Sequence, residues 1–188
     1  MKNAYYSLLL FIMVTLPIQA KSDGDVLVAE SMLKRLIPAY VDQFQFKKTD
    51  SEKDIFRIES ISNSKIQISG NNANSMAVGL NYYLKYYCLT TVSWYASQSV
   101  EMPETLPEIP EPIEIPAKVD RRFFLNYCTF GYSMPFWKWA DWERFIDWMA
   151  LNGINMPLAI TGQEAVWYKV WKEIGLHDKE ILSYFTGP

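Results

Sequence analysis

Hydrophobic residues in the first hundred positions alternate between helical and strand-like spacing. One helical stripe ends at Pro38, and a second precedes Cys88. Between them, period-two alternation occurs over residues 43–46, 55–61 and 66–68, and the β-branched and aromatic residues 91–95 predict one more strand. These patterns predict a small N-terminal α+β domain over residues 23–100, large enough for a modest core. The two stripes comprise Val26, Ala29, Met32, Leu33, Leu36 and Ile37, then Met76, Leu80, Tyr83, Leu84 and Tyr87.

Prolines dominate the next stretch. Five of the ten prolines lie between Glu101 and Lys118. Because proline fixes φ and disfavours helix at the preceding residue, residues 101–119 are predicted to form an extended, fairly stiff linker. Three isoleucines indicate that this linker packs along a surface: Ile109, Ile113 and Ile115. A polyproline ligand for another protein is the alternative interpretation.

From residue 120 onwards, strand and helix patterns follow each other. Residues 123–129 are typical of a buried strand, and a helix follows with Asp141 at its predicted N-cap and Gly153 just beyond its C-terminus. Residues 154–160 predict a second strand, followed by helices over 163–174 and 178–185. The side chains predicted to pack the first helix on a sheet are Trp142, Phe145, Ile146, Met149 and Ala150.

Two parallel strands are too few for a buried sheet, and the apolar faces of these helices need more strands beneath them. The sequence therefore predicts an α/β protein in which residues 120–188 form the first two βα units of a (β/α)8 TIM barrel. The expectation is the N-terminal part of a longer chain. Pro157 fits an interior strand poorly, since it lacks a ladder donor, and a local bulge is our interpretation.

The N-terminus has the pattern of an export signal. Lys2 precedes an apolar run from Leu8 to Leu16, and a small residue, Ala20, stands at the expected cleavage site. The run is too short to span a bilayer comfortably. We expect residues 1–20 to be a signal peptide and the product to be periplasmic or secreted, without membrane association after cleavage. The sequence contains no Asn-x-Ser/Thr sequon, which favours a bacterial source.

Charge and composition narrow the class of partner. The formal net charge of −3 argues against nucleic acid and anionic membranes. Two cysteines, Cys88 and Cys128, allow one disulfide but no disulfide framework. The sequence shows no metal-ligand cluster, phosphate-binding loop or Ser-His-Asp set, so no cofactor is predicted. The 7 Trp, 12 Tyr and 10 Phe are consistent with a large core or with rings that stack on sugars.

Polar side chains follow the first predicted barrel strand. Asn126 and Cys128 are two residues apart, so they would point to one side of a strand, and Tyr132 comes next. An Asn amide suits sugar hydroxyls, although a buried Asn bonded to backbone is an equal reading of the pattern. Cys128 is also typical of a small core residue. A nucleophilic cysteine needs a base, and the only histidine, His177, is predicted in a surface loop.

Gln163 and Glu164 follow the second predicted strand. Thr161 and Glu164 have the spacing of a capping box, which gives Glu164 a structural role. Alternatively, Gln163 or Glu164 lies at the barrel mouth and binds a substrate hydroxyl. Glycoside hydrolysis usually uses two carboxyl groups, about 5–5.5 Å apart in retaining enzymes. Only Glu164 follows a strand end here, so we assign no catalytic residue.

Several longer runs resemble the α-N-acetylglucosaminidases of glycoside hydrolase family 89. The resemblance is strong over residues 121–188 and weaker over residues 25–100. The runs that carry it are 126–129 (NYCT), 139–144 (WADWER), 147–155 (DWMALNGIN), 162–167 (GQEAVW) and 185–188 (FTGP).

The resemblance implies a retaining exo-enzyme that removes terminal α-linked N-acetylglucosamine from glycans. It implies an α/β N-terminal domain, a (β/α)8 catalytic barrel and an all-helical C-terminal domain. It implies that Asn126, Cys128 and Tyr132 belong to the sugar pocket, with Gln163 and Glu164 at the next strand end. Both catalytic glutamates would lie beyond Pro188, so residues 1–188 alone are expected to be inactive. The competing hypothesis is a non-catalytic carbohydrate-binding or adaptor module complete at residue 188.

Overall fold

The fold comprises an N-terminal sheet with two helices, followed by two short parallel strands and three helices. The structure is a computed structural model, and it describes residues 23–95, 100–160 and 162–185. The predicted signal peptide lies outside these residues. In chain order, the helices and strands are α1 (Gly24–Leu36), β1 (Phe44–Lys48), β2 (Ile55–Ile61), β3 (Lys65–Gly70), α2 (Ala73–Tyr86), β4 (Ile113–Pro116), β5 (Phe123–Phe124), α3 (Trp139–Leu151), β6 (Met156–Pro157), α4 (Gln163–Glu173) and α5 (Asp178–Leu182).

The N-terminal sheet has the strand order β1-β3-β2-β4. β1 pairs with β3 in parallel, and β2 pairs antiparallel with both β3 and β4. Alternate side chains turn inward, which is why the period-two pattern predicted these strands correctly. The helices cover one face of the sheet and bury Leu33, Leu80 and Tyr83 against Ile58 and Ile68. The predicted α+β class of the N-terminal part is therefore confirmed.

α2 lies very close to the sheet at Gly79. A Cβ atom there would come within 2.8 Å of Ile68 Cγ2, so only glycine allows this approach. The N-terminus of α2 is capped by Asn72, whose Oδ1 accepts a hydrogen bond of 2.8 Å from the Ser75 amide. Asp25 also reaches this helix end and accepts from the Ala73 amide at 3.0 Å. These contacts fix α2 on the sheet and on α1.

Much of the predicted linker belongs to the N-terminal domain. Residues 113–116 form the edge strand β4, and Leu106 and Ile109 are buried in the core. The Tyr83 hydroxyl donates to the Pro107 carbonyl at 2.7 Å. The isoleucine pattern thus indicated surface packing correctly, but a separate linker over residues 101–119 is wrong because part of it completes the sheet.

Residues 91–95 do not form the predicted strand. Their alternation has another cause: Val92 is buried in the N-terminal core, whereas Trp94 packs among the aromatic rings around α3. The centroid of the Trp94 ring lies 5.3 Å from that of Phe145. A period-two pattern of burial therefore arises here without strand pairing.

The two barrel strands are shorter than predicted. Phe123 and Phe124 of β5 pair in parallel with Met156 and Pro157 of β6, in place of the predicted strands 123–129 and 154–160. The amide of Met156 donates to the Arg122 carbonyl just before β5, and the amide of Leu158 donates to the Phe124 carbonyl, so the Pro157 nitrogen between them points away from β5. No ladder donor is missing on that side, and the predicted bulge is unnecessary.

α3 connects the two units. Its N-cap is Lys138, not Asp141; Asp141 is the third helical residue and accepts from the Lys138 amide at 3.0 Å. Phe145 and Met149 are buried in the aromatic cluster, while Leu151 is buried in the N-terminal core. Ile146, predicted to face the sheet, is 45% exposed. The predicted C-terminal glycine is correct, since Gly153 follows the C-cap with a φ of 74°.

α4 has no buried residue. Its apolar side chains Val166, Trp167 and Val170 face outward, as does Ile174 just beyond it. Within the described residues, no helix is long and apolar enough to cross a membrane. Both cysteines are free thiols, so the disulfide that the sequence allows is not formed. Cys128 is exposed, whereas Cys88 is half-buried, and burial raises the pKa of its thiol to about 11.

Candidate functional site

Both barrel strands point their C-terminal ends toward the same edge, because β5 and β6 are parallel neighbours. Chemistry in parallel α/β folds is placed at this edge, in the loops that follow the strands. Each of these strands is followed by polar residues that the sequence identified. The site is therefore best described from these two loops.

After β5, the chain turns sharply. Leu125 has a φ of 115°, a backbone conformation that residues other than glycine rarely adopt. Residues Tyr127–Gly131 then form a 3₁₀ helix. Asn126 caps it: its Oδ1 accepts from the Cys128 amide at 2.9 Å, while its carbonyl accepts from the Thr129 hydroxyl at 2.8 Å.

These contacts correct the expected geometry of Asn126 and Cys128. The two residues do not share one side of a strand, because the strand ends before them and the capping contact bends the chain. Both residues are exposed. The Asn126 amide nitrogen forms no hydrogen bond with any described residue, so it remains a donor that a sugar hydroxyl or carbonyl fits.

Tyr132 follows directly as the C-cap of this 3₁₀ helix and is exposed. Three more rings in the same stretch are also exposed: Tyr127, Phe136 and Trp139. Trp137 and Trp148 are partly buried, and both pack against the buried ring of Phe145. The loop after β5 therefore combines a packed aromatic cluster with exposed rings of the kind that stack on sugar faces.

After β6, Gln163 and Glu164 occupy the first turn of α4. A carboxylate is favoured there by the partial positive charge of a helix N-terminus. Gly162 precedes them with a φ of 87°, and its carbonyl accepts from the Ala165 amide at 3.1 Å. The predicted capping box depends on Thr161, which lies outside the described residues.

Gln163 and Glu164 border a small cavity of about 140 Å³ with four aromatic side chains. The ring of Trp171 stacks on that of Phe185, with centroids 5.5 Å apart, and lies 5.4 Å from that of Trp167. Our sequence analysis missed these rings as site residues, although Trp167 and Trp171 are four apart on one helix face. The cavity is lined by Gln163, Glu164, Trp167, Trp171, Tyr184 and Phe185.

The chemistry that these two loops support is neutral recognition. Amide and hydroxyl groups lie beside aromatic rings, and Glu164 is the only carboxylate of the aromatic cavity. The described residues contain no cluster of His, Cys, Asp or Glu that would hold a metal ion. The loop after β5 contains Asn126, Cys128 and Tyr132. The aromatic cavity after β6 is lined in part by Gln163 and Glu164. An uncharged sugar suits this set better than a charged ligand does.

The architecture defines an α/β protein that begins a TIM barrel behind a small α+β domain. Two family models match the chain: the alpha-N-acetylglucosaminidase (NAGLU) N-terminal domain over residues 28–108 and the tim-barrel domain of the same family over residues 122–188. Together they cover more than three quarters of the chain. The chain belongs to the alpha-N-acetylglucosaminidase family, glycoside hydrolase family 89.

Relatives in two organisms agree with this assignment. The chain is 42% identical to human alpha-N-acetylglucosaminidase over 125 residues, which is 66% of this chain and 17% of the human protein. A family 89 glycoside hydrolase from Clostridium perfringens, solved with 2-acetamido-1,2-dideoxynojirmycin, matches with a TM-score of 0.77 and 36% identity. That match covers 84% of this chain and 18% of the clostridial chain.

A second structure of the clostridial enzyme shows its ligand class. A variant with two glutamates replaced by glutamine was solved in complex with its substrate GlcNAc-alpha-1,4-galactose, and it matches with the same TM-score of 0.77. The present chain spans less than a fifth of the length of either relative.

Proposed function

We propose that this chain is the N-terminal part of an exo-acting, retaining glycoside hydrolase that removes terminal α-linked N-acetylglucosamine from glycans. The main support is the similarity to the clostridial enzyme, whose solved complex contains GlcNAc-alpha-1,4-galactose. The neutral amides and exposed rings that follow β5 and β6 are consistent with an uncharged N-acetylhexosamine.

The proposal assigns binding, and not bond cleavage, to the described residues. Retaining hydrolysis needs a nucleophilic carboxylate and an acid/base carboxyl about 5–5.5 Å apart. Glu164 borders the aromatic cavity without a second carboxylate among its lining residues. Asn126, Cys128, Tyr132, Gln163 and Glu164 are therefore proposed as substrate-binding residues, and the paired carboxylates are proposed to come from further barrel strands.

The test compares residues 1–188 with the complete protein encoded by the same reading frame. Both are assayed on an aryl α-N-acetylglucosaminide, with the β-anomer as the control substrate. We expect turnover of the α-anomer by the complete protein, no turnover by residues 1–188, and an α-configured sugar as the first product. Turnover by residues 1–188 alone would contradict the assignment of the catalytic carboxylates. If neither protein hydrolyses the substrate but residues 1–188 bind the sugar, the non-catalytic module is the better reading.

We also propose that the protein is exported and acts in the periplasm or outside the cell. The support is the charged N-terminus, the apolar run and the small residue at position 20. Edman sequencing of protein recovered from the periplasm or medium should start at Lys21. Recovery of protein that still begins at Met1 would contradict export by a cleaved signal.

A further inference from the structure

The start of β5 is held by an arginine that contacts both units of the chain. Arg122 immediately precedes β5, and its side chain is 18% exposed. One guanidinium nitrogen, Nη2, forms an ion pair with Asp54 and donates to Asn74 Oδ1 at 3.3 Å. Both partners belong to the N-terminal domain. A second nitrogen, Nε, donates to the Gly153 carbonyl in the turn that leads from α3 to β6.

The same arginine also fixes its own approach to the strand. Its Nη1 donates to the Val119 carbonyl at 2.8 Å, and its backbone amide donates to Asn155 Oδ1 at 2.9 Å. Its carbonyl accepts from the amides of Asn155 and Met156, each at 3.3 Å. Arg122 therefore contacts the segment before β5, the turn before β6 and the N-terminal domain at once.

The partners of Arg122 are themselves fixed. Asp54 Oδ1 accepts from Asn72 at 2.7 Å, which ties it to the N-terminus of α2. Asn74 donates to the Ile154 carbonyl at 3.1 Å. Gly153 packs closely, because a Cβ atom there would make a tight contact of 3.1 Å with Val78 Cγ2 and would lie 3.5 Å from Arg122 Nε. Its φ of 74° also disfavours other residues.

We propose that Arg122 is a positioning residue, which sets β5 and β6 in register on the N-terminal domain and thereby places the two loops that carry Asn126 and Gln163. Only three residues lie between Arg122 and Asn126, and two of them form the intervening strand. A shift of one residue in such a short strand moves every side chain to the opposite face. The guanidinium fork suits this role, since it donates in several fixed directions, which an ammonium group does not. The link to substrate rests on the proposed function.

The test uses substitutions that separate charge from geometry. Arg122→Lys keeps the positive charge for Asp54 but loses the fork that also reaches Gly153 and Val119. Asp54→Asn keeps the fork and its bond to Gly153 but removes the ion pair. Arg57→Lys is the matched control, because Arg57 pairs with Glu59 and Glu114 on the outer face of the sheet.

Hydrogen exchange of residues 1–188 gives the first measurement. We expect Arg122→Lys to lower the protection of the Asn155, Met156 and Leu158 amides about tenfold or more, with β2 and β3 unchanged. Asp54→Asn should have a smaller effect, and Arg57→Lys none at these amides. Equal protection in Arg122→Lys and Arg57→Lys overturns the proposal, as does an equal loss throughout the chain. If Arg122→Lys does not fold, Asp54→Asn gives the decision against Arg57→Lys: a loss confined to the Asn155, Met156 and Leu158 amides supports the proposal, and no loss there overturns it.

Kinetics of the complete protein give the second measurement. A positioning role predicts that Arg122→Lys lowers kcat/KM about tenfold in enzyme assayed well below its Tm, because misplaced binding groups lose their alignment with the substrate. A merely stabilising role lowers Tm and leaves kcat/KM of the folded enzyme unchanged, which overturns the proposal. If the wild type is inactive while the exchange result holds, the proposed function fails and the positioning of the strands stands.

Discussion

Asn126 caps the 3₁₀ helix after β5 and is also one of the residues proposed to bind substrate. Its Oδ1 is occupied by the Cys128 amide, while its nitrogen has no partner among the described residues. One side chain thus shapes the loop after β5 and offers a donor at the same time. The sequence pattern identified the residue but suggested a different geometry for it.

We expect Asn126→Asp to separate these two roles in the complete protein. Asp keeps the acceptor for the Cys128 amide, so the free energy of unfolding should change by less than about 1 kcal/mol. It has no amide donor, so kcat/KM should fall. The fall should correspond to the loss of one hydrogen bond, about 0.5–1.5 kcal/mol, and to more if a buried group is left unpaired. Asn126→Ala is the comparison and should lose both stability and kcat/KM. Wild-type kcat/KM in Asn126→Asp would exclude the amide from substrate binding.

Asp54 gives the interface between the two units a dependence on pH. Its partial burial alone would raise its pKa, but hydrogen bonds from Arg122 and Asn72 outweigh this and lower the pKa of Asp54 below its usual value. A carboxyl group with a lowered folded-state pKa stabilises the fold above its unfolded pKa of about 3.9, and that stabilisation is lost as the pH falls through the folded value.

The expected result is a difference between wild type and Asp54→Asn that depends on pH. At neutral pH, the free energy of unfolding should be about 1–3 kcal/mol lower in the variant, because Arg122 loses a partner. The difference should narrow as the pH falls below about 4. Urea unfolding at a series of pH values measures it. Asp42→Asn is the control, since Asp42 is exposed and forms no ion pair with a described residue. If the difference in unfolding free energy between wild type and Asp54→Asn stays the same at every pH, the role of Asp54 is contradicted.

Among the elements, α3 is the one that joins the two units. Arg35 of α1 donates to Asp147 through two nitrogens, at 2.8 and 2.6 Å, and the Asp147 side chain is only 9% exposed. At the C-terminus of α3, one turn further on, Asn81 donates to the Leu151 carbonyl at 2.9 Å. Carbonyl groups at the C-terminus of a helix lack partners within the helix, so α2 supplies one for it.

Asp147→Asn should therefore weaken the docking of α3 far more than Glu143→Gln, a change at the other carboxylate near Arg35. We expect a loss of about 1–3 kcal/mol in the free energy of unfolding, because the buried Asp147 side chain loses the charge that pairs with Arg35. Glu143→Gln is the matched control: Glu143 lies 3.9 Å from Arg35 and is 38% exposed, so its loss should be within about 1 kcal/mol. Equal losses in the two variants would contradict the docking role.

The elements also show what sequence patterns reveal and what they miss. In the N-terminal domain, hydrophobic periods predicted both helices and the strands β1 to β3, because these elements bury one face against the core; β4 was placed in the predicted linker. The pattern at residues 91–95 was misleading, since Val92 and Trp94 are buried in two different clusters and not in a sheet. The barrel strands were predicted too long because the capping contact of Asn126 and the backbone of Leu125 end β5 early. Neither effect is visible in hydrophobicity.

On the scale of the whole molecule, buried contacts are unevenly distributed along the described chain. The N-terminal domain has a closed core, α3 is buried from two sides, and α4 buries no side chain. Val166 and Val170 of α4 and Ile174 just after it are 48–71% exposed. The contacts of α3 therefore place the boundary between well-packed and poorly packed residues near residue 160.

We expect hydrogen exchange of residues 1–188 to show this boundary. Amides of β2, β3 and α2 should be the most protected, those of α3 nearly as protected, and those of α4 and α5 the least, because few buried contacts hold them. A urea titration monitored by the same amides should release α4 first. Uniform strong protection from α2 to α5 would contradict the picture.

Two asparagines donate hydrogen bonds to carbonyls at and just after the C-terminus of α3, and this bears on the order of folding during synthesis. Asn74 and Asn81 lie on α2, which precedes α3 by more than fifty residues. The N-terminal domain leaves the ribosome first and folds as a unit. The first helix of the barrel thus emerges opposite a surface whose donors already point toward it. Assembly of the barrel then has a fixed starting end, and a defect on α2 acts before any later strand has been made.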